Sequence, residues 1–368
     1  MDGCHAKMMQ RALLLARRGV GKTTPNPAVG AVIAREGRIV GEGWHRKAGS
    51  PHAEIHALHA AAELARGADL YVTLEPCCHF GKTPPCAEAI VRAGVGRVFV
   101  GMIDPNPLVA GSGVAQLRGA GIAVETGLLE PECRALNEPF IKHVTTGLPF
   151  VTLKSALTLD GKTATPDGDS RWITSAASRR LVHTLRLQAD AVMTGSGTLL
   201  ADDPQLTVRM VRGRSPLRIV VDSSLQTPVD SALMSEAASI PVIIATAGSH
   251  PAKAARLAAR GAEVLLCSGA NGRVDLAALL KILGSRGIQS ILLEGGERLC
   301  GEMLRQGLID RYLFFFAPKI VGGAGKGLFA GAGAALMSQA LPLAIRRVSR
   351  VGDDILVEAF PEGSCSQD

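Results

Sequence analysis

Short apolar runs alternate with helix-forming stretches along almost the whole of this 368-residue chain. That alternation confines the fold to layered α/β designs. Strand-like runs lie at 29–34, 38–43, 70–74 and 97–102, the first two joined by a turn at Glu36-Gly37. Residues 53–66, rich in Ala, Leu and Glu, predict a helix. Pro84-Pro85 opens another that runs to about Ala93, because proline suits a first helical turn. Met8, Met9, Ala12, Leu13 and Ala16 are spaced as one face of an N-terminal amphipathic helix.

Thr145-Thr146-Gly147-Leu148-Pro149 is short, polar and turn-forming, and it separates two complete sets of elements. Two domains are expected, 1–146 and 147–368. In the second, strands are predicted at 150–156, 191–194, 217–222, 241–246, 263–267, 290–293 and 312–317, with helices between them and a glycine-rich loop at 322–327. Such an order gives a mainly parallel sheet.

Composition removes several classes. Hydrophobic residues are 47% and charged residues 20%, enough apolar material for real cores, so extended disorder is not expected. No apolar run approaches the ~18 residues of a membrane span, and arginines follow the only apolar stretch near the N-terminus, so neither a membrane partner nor a secretory signal is expected. The net charge is +7, but the basic residues are scattered, and with only two Trp and two Tyr a base-stacking platform is not indicated. A mildly basic cleft for a phosphorylated small molecule accounts for the charge as well.

Three of the eight cysteines, Cys77, Cys78 and Cys86, fall within ten residues. With His52 they form a metal-binding constellation: His52-Ala53-Glu54, then Glu75-Pro76-Cys77, then Pro84-Pro85-Cys86. One imidazole and two thiolates suit zinc, and three protein ligands leave a position for water, which marks a catalytic site. A structural site would need a fourth ligand, for which Cys78 and His79 are the candidates. Glu54 is not needed as a ligand and is placed to move a proton. H-x-E followed by P-C and a second Cys is the pattern of zinc deaminases that act on nucleobases, although most of those have two residues between the cysteines where this chain has eight.

At that point a resemblance becomes specific. Thr24-Pro25-Asn26-Pro27-Ala28-Val29-Gly30, His52-Ala53-Glu54 and the stretch TLEPCCHFGKTPPC resemble the deaminase half of the bifunctional deaminase–reductase family of riboflavin biosynthesis, in which the long cysteine spacing is normal. The segments LTLDGKTA, GDSRWIT, GTLLADDPQLTVR, RIVVDS, LLEGGERL and APKIVGG resemble its reductase half, in the family's order. Cys78 and Thr158 stand where that family usually has serine.

The resemblance implies an α/β protein with an N-terminal cytidine-deaminase-like αβα layered domain and a C-terminal dihydrofolate-reductase-like domain. It implies zinc-dependent hydrolysis of an exocyclic amine of a phosphorylated pyrimidine, with Glu54 as the proton shuttle and His52, Cys77 and Cys86 as ligands. NADPH-dependent reduction of the ribosyl group to ribityl would follow. Asn26, His45, Lys82 and Asn106 are implied to grip the ribose phosphate. Implied NADPH contacts are Ala156, Trp172, Thr198, Asp202, Ser223 and the run Gly296, Glu297, Arg298, Leu299, Cys300, Gly301 and Glu302. Implied substrate contacts of the reductase are Ser170, Arg186, Leu206, Arg209 and Glu294, the two arginines making a phosphate clamp. A cytoplasmic homo-oligomer, dimer or tetramer, is also implied, with no nucleic-acid partner.

Two motif look-alikes fall away. Gly21-Lys22-Thr23 ends like a P-loop, but Ala16 occupies its first glycine position and a helix precedes it. No strand-to-helix turn carries the G-x-G-x-x-G dinucleotide fingerprint. The two other functions compatible with the metal motif are a nucleic-acid-editing deaminase and a metal-stapled protein without activity. The first leaves the second half unexplained, and the second does not need Glu54.

Overall fold

The computed structural model describes residues 3–78, 84–107 and 109–363. The chain divides into two compact units, Met1–Gly147 and Leu148–Asp368.

In the first unit helix α1 (Gly3–Ala16) precedes strands β1 (Gly30–Arg35) and β2 (Arg38–Trp44). Then come α2 (Ala53–Ala61), β3 (Asp69–Val72), α3 (Cys86–Arg92), β4 (Arg97–Val100), α4 (Ser112–Gly119) and β5 (Ala123–Thr126), with α5 (Glu130–Leu136) and α6 (Glu138–Thr146) closing the unit. The five strands form one sheet in the order β2-β1-β3-β4-β5, antiparallel across β1 and parallel from β3 to β5. Glycines fix how close the helices come. A Cβ on Gly30 would stand 2.0 Å from the Ala12 carbonyl oxygen of α1. On Gly41 and Gly43 it would stand 2.3 and 2.2 Å from the Ala57 and Ala53 carbonyl oxygens of α2. Gly30 pairs with Trp44, one residue on from Gly43, so strand alternation puts α1 and α2 on opposite faces. The unit is thus αβα in layers, around a core that includes Met9, Val32, Ile33, Leu70, Val98 and Ile90.

The helix expected over 53–66 ends earlier. Ala62 takes φ 49° and a single 3-10 turn follows, which brings Ala65 and Ala68 into the core. β5 and α4 to α6 are elements that the sequence pattern does not delineate.

The second unit begins with β6 (Phe150–Thr158), α7 (Ala176–Gln188), β7 (Ala191–Gly195), α8 (Ser196–Asp202) and β8 (Leu217–Val221). It continues through α9 (Ala232–Ser235), β9 (Val242–Thr246), α10 (Pro251–Ala259), β10 (Ala262–Leu266), α11 (Leu276–Ser285), β11 (Ser290–Leu293) and α12 (Glu297–Arg305). It ends with β12 (Arg311–Ala317), β13 (Leu343–Val351) and β14 (Asp354–Pro361). The nine strands lie in the order β10-β9-β8-β7-β11-β6-β12-β14-β13. The sheet is parallel from β10 to β12, and the β13–β14 hairpin then adds antiparallel. A bulge between Ile345 and Arg347 interrupts strand alternation in β13 and hides it in the sequence. The parallel strands are apolar because both faces are covered, Val151, Met193 and Ile219 on one side and Val192, Val220 and Ile244 on the other.

Candidate functional site

In the first unit three sequence-distant residues converge. His52 is the N-cap of α2, Cys86 is the first residue of α3, and Cys77 follows the end of β3. His52 Nδ1 lies 3.5 Å from Cys77 Sγ and 3.3 Å from Cys86 Sγ, and all three donor atoms fall within 4.8 Å of one another. A tetrahedral ion about 2.0 Å from nitrogen and about 2.3 Å from sulfur needs donors roughly 3.5 Å apart, so the set fits zinc. Among the described residues Cys78 does not join the set, and His79 lies outside them, as does Lys82.

The cluster is electrostatically tuned. A hydrogen bond with Cys86, aided by one with His52, draws the Cys77 thiol down to about 4. The Cys86 N–H also donates to Cys77 Sγ at 3.4 Å, as expected at a helix N-terminus. The neighbouring Cys77 thiol, together with burial, pushes the Cys86 thiol up. His52 is raised by its contact with Cys77.

Glu54 sits in the first turn of α2 and is buried, and its Oε2 has no hydrogen-bond partner. Burial pushes its carboxyl up to about 7. A carboxyl of that pKa, beside a cluster able to hold zinc, can both accept and deliver a proton near neutrality.

Two further groups surround the cluster. The His45 ring stands edge-on to His52 with centroids 5.2 Å apart, and Asn26 Nδ2 lies 3.1 Å from His45 Nε2. Glu75, two residues before Cys77, is a residue that sequence reasoning misses. Its carboxylate accepts from the backbone N–H groups of Asp104, Gly111 and Val114, each at 3.0 Å, tying the loop that carries Asn106 to the end of β3. The only sequence signal for it is a carboxylate beside a ligand.

In the second unit the turns after β7 and β11 meet, as neighbouring parallel strands require. Thr194 Oγ1 donates to the Glu294 carbonyl at 2.8 Å. A Cβ on Gly296 would stand 2.9 Å from Thr198 Oγ1, so the two turns approach closely there. Helices α8 and α12 thus both begin at one crevice outside the strand carboxyl ends, the place where such sheets bind nucleotides. That cradle of backbone N–H groups fits the NADPH expectation. Ala156 lies near the end of β6 on the same side, Ser223 follows β8, and Asp202 ends α8 with its carbonyl accepting from Arg171 at 2.7 Å. The Ser223 hydroxyl accepts from the Val274 N–H at 3.1 Å. Glu297 and Arg298 open α12, and Glu302 bonds to Arg305 and Gln306 on and just after the same helix. Leu299, Cys300 and Gly301 are buried, Cys300 Sγ donating to the Gly295 carbonyl at 3.3 Å. Trp172 is 62% exposed, with the Arg179 guanidinium 4.5 Å from its ring, so it is not a core residue.

The two arginines expected to clamp a phosphate stand in different surroundings. Arg186 donates to both oxygens of Glu294, at 2.6 and 3.0 Å, and to the Thr207 carbonyl at 3.0 Å. Its fork is occupied by that carboxylate, which leaves Arg209 as the exposed guanidinium. Arg209 bonds to Gln205, and its N–H donates to His183 Nδ1 at 3.1 Å. Leu206 is buried at φ 55°, and Ser170 is partly buried in the loop before α7. Lys154, which the sequence does not single out, reaches Glu294 at 3.6 Å, and burial lowers its pKa.

Residues 2–102 match the family model of the cytidine and deoxycytidylate deaminase zinc-binding region, and residues 149–357 match the RibD C-terminal domain. Fold and site therefore define a two-domain enzyme, a zinc-dependent deaminase followed by an NADPH-dependent reductase. The riboflavin biosynthesis protein RibD of Actinobacillus pleuropneumoniae is 45% identical over 351 residues, covering 95% of this chain and 93% of that one. Acinetobacter baumannii RibD superposes with a TM-score of 0.87 at 39% identity, over 97% of this chain and 99% of that one. A Thermotoga maritima diaminohydroxyphosphoribosylaminopyrimidine deaminase/5-amino-6-(5-phosphoribosylamino)uracil reductase superposes with a TM-score of 0.86 at 38% identity, over the same shares. The chain belongs to the RibD family, and it is a bifunctional enzyme of riboflavin biosynthesis.

Proposed function

We propose that residues 1–146 hydrolyse an amine from 2,5-diamino-6-(5-phosphoribosylamino)pyrimidin-4(3H)-one, and that residues 147–368 reduce the ribosyl group of the product, 5-amino-6-(5-phosphoribosylamino)uracil, to ribityl. The observation that carries the first half is the buried, unpartnered Oε2 of Glu54 beside the His52, Cys77 and Cys86 set. Bound zinc supplies an activated water there. Glu54 takes a proton at Oε2 and returns it to the departing amine, so water and the amino-bearing ring carbon become a ring carbonyl and ammonia. Asn26, His45, Asn106 and Lys82 hold the ribose phosphate.

In the second half the two helix N-termini hold the NADPH phosphates, with Ala156, Trp172, Thr198, Asp202, Ser223 and the stretch Gly296–Glu302 at the start of α12 around the cofactor. Arg209 takes the substrate phosphate, and Ser170 and Leu206 line its site. Arg186 and Lys154 keep Glu294 ionised beside the ribose. Hydride transfer to the open imine form of the sugar relies on positioning more than on a strong acid.

Self-association into a dimer or tetramer is supported by Ile345 and Val348, which stand 63% and 59% exposed on strand β13. Free thiols at Cys4, Cys133, Cys267 and Cys300 suit a reducing compartment and support a cytoplasmic location. Among the described residues no helix is long and apolar enough to cross a membrane.

The test is a coupled assay with the diaminopyrimidine substrate. Ammonia should appear without NADPH, and NADPH should be consumed only once deaminated product is present. Ammonia without any later NADPH consumption would overturn the assignment of the second half, and zinc-loaded protein silent in both would overturn the substrate.

A further inference from the structure

Asn137 is 3% exposed at the junction of α5 and α6, far in sequence from the metal ligands. Its side-chain amide pairs with one residue as a neighbouring strand would. The Ala28 N–H donates to Oδ1 at 2.9 Å, and Nδ2 donates to the Ala28 carbonyl at 3.0 Å. The sequence separation is 109 residues, so this is a tertiary clamp on the segment before β1.

That segment leads to the metal set by direct contacts. Asn26 stands two residues before Ala28, and its Nδ2 lies 3.1 Å from His45 Nε2. His45 Nδ1 lies 3.2 Å from the Pro51 carbonyl. A carbonyl can only accept, so Nδ1 carries the ring proton, Nε2 is bare, and Asn26 must donate to it. His45 has no room to swing, since it is 2% exposed and its ring is edge-on to His52. The two bonds to Asn137 therefore fix both the register of the segment and the direction in which the Asn26 amide points.

We propose that Asn137 is a positioning residue of the deaminase reaction: it touches neither metal nor substrate, and it sets the segment that presents Asn26. The inference rests on the proposal that Asn26 contacts the substrate. A buried asparagine that merely stabilised the fold would lower the fraction of active molecules and leave the affinity of the remainder unchanged.

The experiment is ammonia-release kinetics on full-length Asn137→Ala, Asn26→Ala and the double variant, with zinc content measured by metal analysis and NADPH oxidation on deaminated substrate as a folding control. The expected result is a deaminase KM about tenfold higher in each single variant, equivalent to about 1.4 kcal/mol, with zinc content and reductase rates unchanged. The double variant should show no more than the larger single effect, since both act through one segment. An unchanged KM in Asn137→Ala together with a raised KM in Asn26→Ala overturns the positioning role and leaves the substrate contact standing. An unchanged KM in Asn26→Ala overturns the substrate contact, and the inference falls with it. Should Asn137→Ala not fold, Asn137→Asp retains an acceptor for the Ala28 N–H. A wild-type KM in that variant overturns the proposal, and a raised KM with full zinc content supports it.

Discussion

Arg186 and Glu294 meet as a two-pronged ion pair across 108 residues, Nε to Oε1 at 2.6 Å and Nη2 to Oε2 at 3.0 Å. Burial alone would push the Glu294 carboxyl up. The charges of Arg186 and Lys154, and the bonds from Arg186, outweigh it and hold the group at about 2. A carboxylate depressed from its ordinary 4.5 contributes its full stability above that value and loses it as pH falls toward 2. The shift corresponds to roughly 3 kcal/mol, the same order as breaking a buried pair. Glu294→Gln should cost about 3 kcal/mol at neutral pH and should flatten the acid limb of a pH titration followed by circular dichroism. An acid limb as steep as in the wild type would show that other carboxylates carry it.

Glu54→Gln keeps size and polarity and removes the proton acceptor. Ammonia release should fall by about two to four orders of magnitude, while zinc stoichiometry and NADPH oxidation on deaminated substrate stay as in the wild type. Turnover within a fewfold of normal would remove Glu54 from the chemistry.

Replacing Cys86 by Ser takes one thiolate from the three-donor set. Zinc content after gel filtration should drop well below one per chain, and a chelator should silence ammonia release in the unmodified protein without touching the reductase. Retention of a full equivalent of zinc by Cys86→Ser would mean that the ion is held elsewhere.

With Arg186 engaged by Glu294, Arg209 is the proposed phosphate contact. Losing one charge-assisted contact is worth about 1.5–3 kcal/mol, so Arg209→Ala should raise the reductase KM by about 10- to 100-fold. Ammonia release should not change. A reductase KM equal to that of the wild type would assign the phosphate to another group.

Much of the deaminase site is legible in the sequence because its parts are local: a histidine and a glutamate at one helix start and cysteines at two turns announce themselves by type and order. The reductase site is not legible in the same way. Lys154 looks like any polar residue on a strand until its neighbour Glu294 is seen. Arg186 looks free to bind phosphate for the same reason, since nothing in the sequence pairs positions 186 and 294. Asn137 is invisible in the sequence because its meaning lies in Ala28. The last hairpin is hidden because the bulge at Ile345 and Arg347 breaks the alternation that marks a strand, although Gly352-Asp353 is a usable turn signal.

The glycines of β2 have a consequence for the chemistry. Helix α2 rests on Gly41 and Gly43 through its own carbonyl oxygens, and those of Ala53 and Ala57 come closer than any Cβ would permit. His52 and Glu54 stand at the start of that helix. How deeply Glu54 reaches toward His52, Cys77 and Cys86 is therefore set by two methyl groups that are not there. A single added carbon at either glycine would act as a wedge beneath the helix, lifting its first turn without changing one residue of the site itself.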